Sequence, residues 1–172
     1  MRKITIDLNV NDIDAAISEL EDYRDEIIEK IGDFVDALTQ GGVEVASMKV
    51  AASQGDSNNV SVDRYYADTE GNIVKAVICL NGTDCLFVEF GAGLYYNNGN
   101  AHPYASQFGY GVGTYPSKHP PNRAINPAYW WYRGQDGALH FSRGTEATMP
   151  LYSAAESMRN DVIVKAAEIF KS

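Results

Sequence analysis

Between Ile13 and Leu38 apolar side chains return at steps of three and four residues: Ile13, Ile17, Leu20, Tyr23, Ile27, Ile31, Phe34 and Leu38. That period is the helical one, and it predicts an amphipathic helix over 11–40. Asn11 is placed to cap it, Asp12 and Asp14 suit the positive end of its dipole, and Gly41-Gly42 is the expected stop. At the helical rise such a rod is about 40 Å long. Its apolar stripe needs a surface to cover, and a sheet with the acidic side left to solvent is the simplest arrangement.

Material for that sheet follows at once. From Val43 the period shifts toward two, and the valine- and isoleucine-rich runs 43–53, 60–67 and 72–80 are bounded by turns at 55–59 and Glu70-Gly71. This predicts a small antiparallel meander within a sheet region over 43–93. Val43 and Val45 oppose Met48, Val50 and Ala52 in parity, which calls for a bulge or strand end near Ser47. Asn81-Gly82 is a hairpin dipeptide, yet Asp84 can also cap a short helix that Gly91 ends. Alternation over 85–90 suits a strand, whereas Leu86, Phe87 and Phe90 share one helical face.

The second half reads differently. Residues 91–150 hold 11 of the 19 aromatic side chains among glycine, asparagine and proline. The stretch 94–129 is too polar for a core and too aromatic for a linker. Tyrosine and tryptophan with few charges match the centre of protein interfaces, which marks Tyr95, Tyr96, Tyr104, Phe108, Tyr110, Tyr115, Trp130 and Trp131 as interface candidates. A loop folded back on its own domain gives the same composition. A hairpin is expected over 130–144, turning at Gly137 and ending at Gly144, with Trp130 and Trp131 on opposite faces. Thr148 as a cap and Pro150 in a first turn open a final helix over 149–171, striped by Leu151, Ala155, Met158, Val162 and Ile169 and expected to lie on the same sheet. The fold class is α+β, in one domain over 1–172.

Charge and chemistry narrow the function classes. The net charge is −9, and residues 1–40 carry 11 acidic and 4 basic side chains against 2 and 4 in 91–150. No concentrated basic stripe exists for phosphate contact, so sequence-specific nucleic-acid binding is not expected. No apolar run suits a bilayer span or a signal core, which points to a soluble, intracellular protein without a membrane partner. Cys79 and Cys85 make no disulfide framework and read as reduced, packed thiols. A small metal-dependent hydrolase would have to use His102, His119 and His140 with Glu89, but these lack His-x-x-x-His spacing. Ser117 sits in no nucleophile elbow, and Gly109, Gly111 and Gly113 open no helix. Glu89, between Val88 and Phe90, needs partners if buried: an arginine such as Arg123, Arg133 or Arg143, or backbone amides. No catalytic residue, cofactor or metal ligand is assigned. A generic peptide- or sugar-binding module remains the third class.

Two segments carry a resemblance. Val88-Glu89-Phe90-Gly91-Ala92-Gly93, followed later by Trp130-Trp131-Tyr132-Arg133-Gly134-Gln135-Asp136-Gly137 and then Met149-Pro150-Leu151 before a helix, resembles the tail-completion, or head-tail joining, proteins of long-tailed bacteriophages. The resemblance implies a structural subunit of the head-tail junction, acting by protein-protein contacts in a homo-oligomeric ring. Tail-tube, tail-terminator and head-connector proteins would be its partners, in the virion and, during assembly, in the host cytoplasm. It implies no cofactor, favours a helical turn over 85–90, and makes Glu89, Gly91, Gly93, Gly137, Gly144 and Pro150 architectural. In that setting the acidic helix face could form part of a ring surface.

Overall fold

The opening helical period runs further than expected. In the computed structural model, which describes residues 10–53, 59–67, 73–93, 102–108, 111–112, 130–134, 136–142 and 145–171, helix α1 spans Val10–Ala51. It is therefore about 63 Å long, and Asn11 lies inside it. The stop at Gly41-Gly42, the strand over 43–53 and the bulge near Ser47 are all replaced by helix. Gly42 is buried where α1 meets its neighbours, and a Cβ there would stand 2.6 Å from Ile78 Cδ1 and 2.8 Å from Met158 Sδ. The glycine thus serves close approach, and packing across it offsets the loss of about 1 kcal/mol in helix propensity. The same packing overrides the strand preference of Val43, Val45 and Val50. The helix ends where the Ser53 hydroxyl and amide both bond the Val50 carbonyl, at 2.7 and 3.0 Å.

Strands β1 (Ser61–Ala67) and β2 (Lys75–Asn81) form an antiparallel pair, Ser61 opposite Asn81 and Ala67 opposite Lys75. The sheet region accordingly begins at Ser61, with two strands in place of a meander. It is fastened to α1 through Asp36, whose carboxylate accepts from Arg64 at 3.0 Å and from the Tyr66 hydroxyl. The Arg64 guanidinium also lies over the Tyr66 ring, 5.0 Å from its centroid. Asp36 accordingly raises the Tyr66 pKa, first through the hydrogen bond and then, with burial, through its charge.

Helix α2 (Cys85–Phe90) follows, so 85–90 is helical. Asp84 caps it with no side-chain bond; its carbonyl instead accepts the Phe87 and Val88 amides. Two further strand pairs lie among the described residues. β3 (Ala92–Gly93) and β4 (Gly111–Val112) pair in parallel, which places a strand and a 3-10 turn, Ala105–Phe108, inside the expected loop 94–129. β5 (Trp130–Arg133) and β6 (Leu139–Ser142) pair antiparallel, with Trp130 opposite Ser142. Gly137 takes a φ of 77° in the connecting turn.

Helix α3 (Pro150–Phe170) lies chiefly on α1, with only slight contact to β2. It was expected on the sheet. Phe34 meets Phe170 edge-on, ring centroids 6.2 Å apart, while Met158 sits against Gly42, so the two helices run antiparallel. Thr39, Gly42 and Ala46 of α1 and Ala154 of α3 are buried. Small residues at three- and four-residue steps bring the backbones close, so α3 meets α1 at Met158 and Phe170 rather than lying on the sheet. Among the described helices none is long and apolar enough to cross a membrane.

Candidate functional site

The N-terminus of α3 lacks a capping side chain of its own. Met149 occupies the cap position with φ 54° and ψ 53°, a left-handed conformation uncommon for a residue with a side chain. Thr148, the expected cap, is turned elsewhere: its amide bonds the Val88 carbonyl at 3.0 Å and its hydroxyl leans on the same oxygen. Pro150 fills the first helical position and has no N–H to satisfy. The next two amides, Leu151 and Tyr152, donate to Glu89 Oε2 at 2.8 Å and Oε1 at 3.0 Å. A carboxylate from α2, more than sixty residues earlier in the chain, therefore caps α3.

Glu89 is buried, and its third partner is His102, equally buried, whose Nε2 stands 3.1 Å from Oε1. The other ring nitrogen, Nδ1, accepts the Tyr104 amide at 3.0 Å. This fixes the tautomer: Nε2 carries the hydrogen and donates it to Glu89. All three partners of Glu89 are donors, which suits a carboxylate accepting at both oxygens. Backbone amides and a histidine take the place in which an arginine was equally expected. Arg133 bonds the Gly137 carbonyl at 2.7 Å instead, and Arg123 and Arg143 lie outside the described residues.

Gly91 permits the seam between α2 and α3. Its φ of 74° and ψ of 159° belong to a region open essentially to glycine, and a Cβ would stand 3.1 Å from both Ala147 Cβ and Ala147 N. Val88, fully buried, and the Met149 amide complete the junction. On top of this base lies a cluster of rings. Phe90 meets His102 edge-on at 4.5 Å and stacks on Phe108 at 5.2 Å. His102 in turn touches Tyr152 at 5.3 Å and Tyr104 at 5.9 Å. The inner rings are held by the buried anchor, whereas Tyr104 is 49% and Phe108 62% exposed. An aromatic surface on a rigid charged base suits the binding of another protein.

Tyr104 and Phe108 are thus brought together, and Phe90, His102 and Tyr152 join them unforeseen. Trp130 and Trp131 lie on β5, with their side chains outside the described residues. Tyr95, Tyr96, Tyr110, Tyr115, His119 and Gly144 also lie outside them. Gly93 pairs with Val112, and Pro150 is buried beneath the seam. His140 does not join His102; it contacts Asp136 at 3.0 Å on the β5–β6 turn. There the Ala138 amide and then His140 hold the Asp136 carboxyl below its ordinary pKa. Both ring nitrogens of His102 are engaged within the protein, Nε2 by Glu89 and Nδ1 by the Tyr104 amide. Among the described residues no three His, Cys, Asp or Glu side chains surround a common metal position.

The missing signal was the cap. Thr148-Met149-Pro150 looks self-sufficient, and only the left-handed turn at Met149 reveals that the acceptor must come from outside. Compared with known proteins, the chain gives no match to a family model, to a curated protein or to a solved structure.

Proposed function

We propose that the protein is a structural subunit of the head-tail junction of a long-tailed phage or prophage, acting through protein-protein contacts in a ring. One observation carries the reading toward assembly. Among the described residues the buried apolar side chains are small, Ala16, Ala46, Val88, Ala105 and Ala154, while large ones are exposed on both long helices and on the aromatic surface. A body with that imbalance completes its burial against neighbours. The aromatic surface supplies one contact with tail-tube, tail-terminator or head-connector proteins. Support for this particular assembly comes from the two segments of the resemblance, 88–93 and 130 onward, which meet through Glu89 and the start of α3.

Cryo-electron microscopy of particles from cells carrying the gene, with this chain tagged, tests the reading. Density for the tag at the neck of intact virions is expected, together with a monomer or weak oligomer in light scattering of the purified chain. Intact virions without a copy at the neck refute it.

A further inference from the structure

The seam that α1 shares with α3 does not stop where α3 stops. Phe170, the last residue of α3, meets Phe34. Toward the N-terminus of α1 the same spacing continues through Ile31 and Ile27 to Tyr23, Leu20, Ile17, Ile13 and Val10. Steps of three and four residues are the period of a helix-helix seam. From Phe34 to Val10 it extends about 36 Å. Ile17 is 50%, Leu20 53% and Val10 73% exposed, although the small Ala16 beside them is buried. Among the described residues the apolar seam is covered by a helix at one end and by none at the other, where its large side chains are exposed.

The charge around the open end selects its partner. Residues 10–27 hold seven acidic side chains and one basic. Arg24 is engaged by its neighbour Asp25 at 2.9 Å and Glu26 by Lys30 at 3.5 Å, so the charge of the open end rests on three other carboxylates. Asp14, Glu21 and Asp22 are exposed along its length. A second copy laid on this seam, parallel or antiparallel, would set acidic flank against acidic flank. We infer that the N-terminal half of α1 docks a partner helix with an apolar seam flanked by lysine and arginine. The partner continues, beyond Phe170, the packing that α3 begins. This surface is separate from the aromatic one, and the inference stands independently of the head-tail reading.

The test uses the full chain and synthetic helices of three heptads. One peptide carries leucine at both seam positions and lysine on the flanks; a second has glutamate on the flanks; a third keeps the lysines but has serine in the seam. Fluorescence anisotropy should show binding of the first, weakening as salt is raised, and about tenfold weaker binding of each of the others. The double variant Ile17→Ser, Leu20→Ser should lose the first peptide by about tenfold or more while melting within about 2 °C of the parent, because both side chains are half exposed. Ile163→Ser, at an 80% exposed site on α3, should bind as the parent does. Equal binding of the first and third peptides, or binding untouched by the double variant, overturns the inference. So does a dimer in sedimentation that the double variant converts to monomer, which would assign the seam to a second copy.

Discussion

Replacing Glu89 by glutamine keeps the shape of the buried cap and removes its charge. The side chain now has one acceptor and one donor where the site presents only donors: the amides of Leu151 and Tyr152 and the Nε2–H of His102. In its better orientation the amide oxygen takes the place of Oε1 and serves Tyr152 and His102. Its NH2 group then faces the Leu151 amide, leaving a buried donor unsatisfied at about 1–3 kcal/mol. The two surviving bonds fall from charge-assisted to neutral strength, at about 0.5–1.5 kcal/mol each, and the favourable charge at the helix N-terminus is lost at about 0.5–1 kcal/mol. Relief of carboxylate desolvation returns part of this. The net expectation is a loss of about 3 kcal/mol, or a melting temperature about 6–12 °C lower for a chain of this size. Urea and thermal unfolding followed by circular dichroism measure it. Combining Glu89→Gln with His102→Ala should cost clearly less than the sum of the two, since both act on one network. A Glu89→Gln protein that melts within about 2 °C of the parent would mean that the carboxylate does not hold the junction.

Three further outcomes follow from other parts of the structure. Gly41 has open space around its Cβ position whereas Gly42 does not, so Gly41→Ala should stabilise by about 0.5–1 kcal/mol and Gly42→Val should destabilise by about 1–3 kcal/mol, both read from denaturant midpoints. Asp136, with its carboxyl held low by the Ala138 amide and His140, stabilises the hairpin above the ordinary carboxylate value of about 4 and ceases to do so as pH falls through its lowered value. The difference in melting between the parent and Asp136→Asn should therefore be present at neutral pH and vanish toward strong acid. Tyr104→Ser with Phe108→Ser should leave the fold within about 1 kcal/mol of the parent, because both rings are largely exposed, and should abolish incorporation into particles. Normal incorporation would remove the aromatic surface as a contact.

The architecture was legible where a pattern is local. The period from Ile13 to Leu38 gave a long helix, the runs around Val62 and Val77 gave paired strands, and Pro150 gave the start of α3. What was not legible depends on who sits opposite. Gly41-Gly42 signals a helix end unless Ile78 and Met158 crowd one of the two, and no property of residues 41–53 announces those neighbours. The site divides the same way. Tyr104 and Phe108 were marked by composition, and amides were among the partners expected for Glu89. Its link to His102 joins residues with no helical or strand spacing between them, and the capping of α3 joins residues more than sixty positions apart. Such a contact exists only after the chain has folded back on itself.

The pairing of Phe34 with Phe170 also sets an order of events in folding. Among the described helices α1 and α3 are each other's principal partner, so the contacts of Phe34 with Phe170 and of Gly42 with Met158 close a loop that contains every described strand. Closure over such a separation is slow, because the entropy of bringing the ends together is lost before any packing compensates. On a ribosome α1 is made before the segment that packs on it, so its apolar stripe lacks α3 until residues 150–170 have followed. The acidic side chains that line it then serve the nascent protein directly: mutual repulsion between copies keeps unfinished chains apart during the interval in which their stripes are exposed.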